Sequence, residues 1–116
     1  MRTTSPFVCD VRTYLCLCHH INTDLHQDVN NVGESFIITF GSYTRGGELF
    51  IYDTNGKDEA VLPQHQHTLQ AGRRLLKAGM KVHGRKINTK GLVTKFDATV
   101  PHMVLPANGV RNAVVY

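Results

Sequence analysis

His26 and Asp28 stand two residues apart in the stretch Leu25-His26-Gln27-Asp28-Val29-Asn30-Asn31. On an extended strand that spacing sends both side chains off one face. An imidazole and a carboxylate side by side are two of the three ligands of the facial triad that holds non-heme Fe(II). Pro101-His102-Met103 offers the third ligand from a distant segment. Arg111 comes nine residues after His102, and its planar guanidinium takes a carboxylate through two parallel hydrogen bonds, which lysine cannot. Three ligands on one face of an octahedron leave three adjacent positions open. Alone, a His-x-Asp pair is a common solvated feature, so its value depends on the partners that residues further along the chain supply.

The chain carries seven histidines that compete for such a role. His65-Gln66-His67 is followed by Thr68, Leu69, Gln70 and Ala71, without the glutamate and glycine of a cupin metal motif. It reads as a solvated loop pair. His83 falls in a basic run, and His19-His20 sits beside Cys16-Leu17-Cys18. A structural zinc site wants a second ligand pair across a longer loop, and no second Cys pair exists. Cys9, Cys16 and Cys18 are an odd number crowded near the start, which argues against a disulfide framework. They read as free, buried strand cysteines.

The elements that must position the candidate ligands are short and extended. Phe7-Val8-Cys9 and Tyr14-Leu15-Cys16-Leu17-Cys18 are rich in strand formers. Asn30, Asn31 and Gly33 mark a loop. Ser35-Phe36-Ile37-Ile38-Thr39-Phe40 is the strongest strand, and Glu48-Leu49-Phe50-Ile51-Tyr52-Asp53 returns after Gly46-Gly47. Asn55-Gly56 predicts a hairpin turn with positive φ. Pro63 to Met80, interrupted by Gly72 and Gly79, reads as loop with short structure. Strands resume at Lys81-Val82-His83, Leu92 to Phe96, Val100 to Leu105 and Val110 to Tyr116. If the last two pair as neighbours, His102 and Arg111 both point inward, with Arg111 deeper. Many short strands with almost no helix predict an all-β sandwich or barrel.

A chain of 116 residues is enough for one domain, 1–116, with a modest core. No apolar run approaches the roughly 20 residues that span a bilayer, and the first residues lack a secretory apolar core, so a soluble intracellular protein is expected. The net charge of +4 is unevenly placed. Arg73, Arg74, Lys77, Lys81, Arg85, Lys86, Lys90 and Lys95 form a run without an acid. Such a run is a solvated face or a polyanion footprint. With no aromatic residue before Phe96, it predicts weak nucleic-acid binding at most.

In this order the residues resemble the 2-oxoglutarate/Fe(II)-dependent oxygenase superfamily, built on a double-stranded β-helix, or jelly-roll, core. The matching pieces are His26-Gln27-Asp28, Ser35 to Gly41, Gly46-Gly47-Glu48-Leu49, Phe96-Asp97, Pro101-His102 and Gly109 to Tyr116, covering residues 22–116. Within the superfamily the likeness is to versions from algal and mobile-element-associated sequences. The resemblance implies an all-β jelly roll with few or no helices, and His26, Asp28 and His102 as ligands of Fe(II). It implies Arg111 as the anchor for the distal carboxylate of 2-oxoglutarate. The implied reaction decarboxylates 2-oxoglutarate to succinate while hydroxylating a second substrate with dioxygen. Typical catalytic domains of the superfamily are longer, with helices over the major sheet. The resemblance therefore implies a minimal or truncated core whose sheet a second copy covers, in a homo-oligomer. Two rival classes stand beside it: a cupin-like metal enzyme without an oxoacid, and a non-catalytic jelly roll that binds a polyanion.

Overall fold

The computed structural model describes residues 8–12, 15–19, 23–28 and 34–115. Eleven strands succeed one another: β1 (Val8–Arg12), β2 (Leu15–His19), β3 (Ser35–Phe40), β4 (Leu49–Tyr52), β5 (Asp58–Val61), β6 (Leu69–Ala71), β7 (Arg74–Leu76), β8 (Lys81–Ile87), β9 (Thr94–Phe96), β10 (His102–Val104) and β11 (Asn112–Val115). A five-stranded sheet has the order β1-β2-β11-β3-β9, and a four-stranded sheet the order β10-β4-β8-β5. From β3 onward the chain alternates between them, save for the excursion through β5, β6 and β7. This is an all-β, jelly-roll-like sandwich, and among the described residues there is no helix. None is therefore long and apolar enough to cross a membrane.

Alternation within β4 makes the four-stranded sheet two-faced. Leu49 and Ile51 point into the sandwich and pack with Ile37 and Ala113 of the five-stranded sheet. Phe50 points the other way and joins Leu25, Leu62, Leu76, Val82 and Met103 in a second core. The hairpin β6–β7 roofs that second core, with Leu69, Ala71 and Leu76 turned onto it. The segment expected to be loop is thus partly strand. Its two glycines sit at positive φ in turns, Gly72 between the two strands and Gly79 after them, rather than breaking an element.

Two further expectations change. The strands carrying His102 and beside Arg111 are not neighbours: β10 pairs with β4, whereas β11 pairs with β2 and β3. They belong to opposite sheets, because the chain crosses from one layer to the other between them. At the turn after β4, Asp53 accepts from the backbone N–H of Asn55 through its carboxylate and of Gly56 through its carbonyl, at 2.9 and 2.8 Å. Gly56 is not at positive φ. It is small because a Cβ there would meet the Gly84 carbonyl oxygen at 2.2 Å. The predicted loop at Asn30, Asn31 and Gly33 lies outside the described residues, as do the side chains of Cys9, Cys16 and Cys18.

The outer face of the five-stranded sheet leaves Phe36 and Phe40 exposed. Among the buried glycines the tightest approach is at Gly84, where a Cβ would meet the Ile51 carbonyl oxygen at 2.2 Å and the Phe50 ring at 2.6 Å. Neither the ladder backbone nor a fully buried ring can yield cheaply. Gly84→Ala should destabilise the fold by about 2 kcal/mol, read as a lower urea midpoint with an unchanged slope. An unaltered midpoint would show that the sheet and Phe50 shift freely.

Candidate metal site

His26 reaches the four-stranded sheet as an isolated bridge. Its N–H donates to the His102 carbonyl at 3.0 Å, and the His102 N–H donates back at 2.9 Å. On either side, Thr23 donates to Val104 and Asp28 to Ala98 through backbone N–H groups at 3.2 and 2.9 Å. Residues 23–28 therefore run along the free edge of β10. A one-residue slip would swap the faces of every side chain. Leu25 opposes such a slip, being 1% exposed in the core under the hairpin. With Leu25 on that side, alternation turns His26 and Asp28 toward the sandwich interior.

Gln66 secures the same backbone from across the chain. Its carbonyl oxygen accepts from the Leu25 N–H at 2.7 Å, and its amide nitrogen donates to the Leu25 carbonyl at 2.8 Å. It also donates to the carbonyl of His67 at 2.8 Å. A buried amide thus stands in for a neighbouring strand. Sequence reasoning misses Gln66 because the flanking histidines draw the eye. Those histidines stand outside the group formed by His26, Asp28 and His102: His67 is exposed and meets the Asp24 carboxylate at 3.1 Å, and His65 is exposed.

The candidate ligands converge. One donor atom from each of His26, Asp28 and His102 lies within 4.8 Å of the others. His102 Nε2 and Asp28 Oδ2 are 3.8 Å apart, and the two imidazole centroids 4.5 Å. Bonds of about 2.1 Å place donors on one ion between ~3 and ~4.2 Å apart, a spacing that the His102–Asp28 pair meets and that the trio, within 4.8 Å, approaches. Tautomers are set by the other ring nitrogens. His26 Nδ1 faces the Asp24 carbonyl and His102 Nδ1 the Val100 carbonyl, each at 2.8 Å. A carbonyl only accepts, so each Nδ1 carries the proton and each Nε2 keeps a lone pair for a metal. The turn before His102 is itself braced. Asp97 Oδ1 accepts from Thr99 N and Oγ1 at 3.0 and 2.6 Å, and Gln27 Nε2 donates to the Thr99 carbonyl at 3.0 Å.

Comparison with family models, curated proteins and solved structures returns no match. The chemistry of the site is therefore read from its own residues.

Arg111 lies in the opposite sheet, 4% exposed, with Nε donating to the Gly47 carbonyl at 2.9 Å. Gly47 sits at positive φ, and a Cβ there would meet the Tyr43 ring at 2.9 Å and Arg111 Cδ at 3.1 Å. Tyr43 Oη in turn pairs with Thr39 Oγ1 at 2.6 Å, and Thr39 with Thr89 Oγ1 at 3.0 Å. Thr39 and Thr89 are fully buried and Tyr43 is 3% exposed. Ile51 is the register partner of His102, and Gly47 lies four residues before it. Four extended residues span about 13 Å. The arginine end and the histidine end thus close opposite ends of one interior, with Leu49 and Ile51 between them. Sequence reasoning finds Arg111 but not the hydroxyl cluster beside it, whose members look like ordinary loop and strand residues.

Burial, and then the neighbouring His26, hold the His102 imidazole below its ordinary pKa of 6.5. An unfolded chain takes up that proton near pH 6.5, whereas the folded site takes it up only at lower pH. Below about pH 6.5 the unfolded state therefore binds more protons, and stability falls as pH falls. For metal-free protein, the drop in urea midpoint from pH 7.5 to 5.5 should be smaller in His102→Gln than in wild type. Equal drops would remove His102 from the acid response. Gln66→Leu, which keeps the volume but not the hydrogen bonds, should weaken Mn(II) binding about tenfold with the far-ultraviolet spectrum unchanged. Unchanged Mn(II) affinity, measured by electron paramagnetic resonance, would show that the edge segment holds its place without the amide.

Proposed function

We propose that this protein is an Fe(II)- and 2-oxoglutarate-dependent oxygenase that hydroxylates a second substrate while 2-oxoglutarate is decarboxylated to succinate. The observation that carries the reading is the convergence of His26, Asp28 and His102 at one end of an interior whose other end holds the buried Arg111. Bound at the three donors, Fe(II) would supply the redox chemistry that couples dioxygen to decarboxylation. Two neutral imidazoles and one carboxylate are the donor set that such an ion takes in a facial arrangement.

The chain's own residues divide the remaining work. The Nδ1 hydrogen bonds of His26 and His102 fix both rings before any metal arrives, so little order is lost on binding. Arg111 offers a guanidinium to a carboxylate, with its Nε held by Gly47 and its stem lying against that glycine. Ile37, Leu49, Ile51 and Ala113 line the interior and keep water out of it. Low polarity strengthens the attraction between the guanidinium and an anion. A dicarboxylate suits such an interior: one end meets the metal donors, the other the arginine.

The test is calorimetric titration of metal-loaded protein with 2-oxoglutarate under nitrogen. Arg111→Lys should weaken 2-oxoglutarate at least tenfold, about 1.4 kcal/mol, and leave metal binding intact. His102→Ala should abolish metal binding itself. No heat from wild type with 2-oxoglutarate, or a mutant that matches wild type, would leave a metal site without an oxoacid and favour a cupin-like enzyme.

A further inference from the structure

The basic run does not form one surface. Arg73, Arg74 and Lys77 lie on or beside the β6–β7 hairpin, and Lys86 shares the hairpin-facing side of β8 with Val82 and Gly84. Lys95, opposite Phe36, is on the outer face of the five-stranded sheet and meets Glu34 at 3.5 Å. Lys90 turns onto Tyr43, its ammonium donating to that residue's carbonyl and lying 4.7 Å from the ring centre. Only Lys81 and Arg85 share the face of the four-stranded sheet that carries His102. A polyanion track needs charges in a row on one face, and these are scattered over several.

On the His102 face the positions are set by register. His102 pairs with Ile51, and Ile51 pairs with Arg85, so the three side chains leave one face in a line across β10, β4 and β8. Two inter-strand steps put Arg85 about 10 Å from His102. Further along β8, His83 and Lys81 continue this face past the metal row, beside Glu59 and Val61 of β5. Arg85, His83, Lys81, Glu59 and Val61 are all exposed. The inner face of the sheet thus extends beyond the metal donors as an open shelf.

Among the described residues, the charged side chains of β5 and β8 on the shelf are paired except at Arg85. Glu59 meets Lys81 and His83, each at 3.6 Å. Asp53, the next inward position just past β4, is engaged by the Asn55 N–H. The Arg85 guanidinium makes no hydrogen bond or ion pair with any described residue. A guanidinium level with the metal donors and two strands across from them is placed to hold an anion whose other end reaches the metal.

We propose that Arg85 anchors the hydroxylated substrate, and that this substrate carries a single carboxylate or phosphate separated by a short apolar arm from the carbon to be oxidised. The inference rests on the oxygenase reading. Ile51, lying between Arg85 and His102, suits an apolar arm. One guanidinium in line with the metal donors selects one anionic group rather than a chain of them.

Hexanoate and hexyl phosphate serve as probes, with hexanamide as the neutral control. Saturation-transfer NMR on wild type and Arg85→Gln scores binding with or without metal. Relaxation by Mn(II) bound at the three donors then reports which end of the probe lies nearer the ion. At least one anion should bind wild type, tenfold or more weaker to Arg85→Gln, while hexanamide fails to bind. Relaxation should be strongest at the terminal methyl. Preference for one probe identifies the anion as carboxylate or phosphate. Equal binding to both proteins, no binding of either anion, or strongest relaxation beside the acid group would overturn the proposal. Failure of wild type to bind Mn(II) would instead overturn the metal reading, and the Arg85 contact would still be scored by saturation transfer.

Discussion

Two backbone hydrogen bonds between His26 and His102 are the constraint on which the candidate site depends. They join an irregular edge segment to β10 and set two imidazoles side by side on one face. Asp28 then joins them by alternation alone. Everything that protects this pairing acts at one remove. Leu25 fills the core under the hairpin, Gln66 occupies both backbone groups of Leu25, and the Asp97–Thr99 turn fixes the approach to His102. The hairpin β6–β7 thereby contributes to the site without touching it, because the core it roofs is the one that holds Leu25 in register.

The sandwich divides the candidate residues between its layers. The candidate metal donors belong to the four-stranded sheet and its edge, and Arg111 to the end of the five-stranded sheet. Closing the two layers over Ile37, Leu49, Ile51 and Ala113 brings the two charged ends to one apolar interior. Polar groups at the arginine end are paired with each other: Thr39 with Tyr43 and Thr89, Arg111 with Gly47. Buried hydroxyls satisfied in this way rigidify a site at little cost, whereas unsatisfied ones would destabilise it.

The chemistry is more legible in the sequence than its placement. His26, Asp28, His102 and Arg111 stand out because few residue types can ligate a metal or grip a carboxylate, and a period of two puts the first pair on one face. The all-β class is legible from short apolar runs between turn residues. Which strand pairs with which is not, since β10 and β11 are adjacent in sequence yet lie in opposite sheets. Nor does sequence show that Gln66 serves Leu25, because an amide far along the chain gives no local signal. Gly56 has the look of a residue chosen for its backbone angle, yet it is excluded from being larger by the carbonyl of Gly84. The run from Arg73 to Lys95 looks like one patch in sequence, but strand alternation and a hairpin send its charges to different sides.

The bridge between His26 and His102 also bears on when the site can exist. A ribosome delivers the chain from its N-terminus, so His26 and Asp28 emerge long before the strand that must lie beside them. Until β10 appears, the edge segment has no ladder to join, and a bidentate pair on an unfolded chain holds a transition metal poorly. Capture of an ion by all three donors would therefore wait until β10 has been made. The ion captured there would be set by which suitable ion is abundant, since affinity order alone does not select iron.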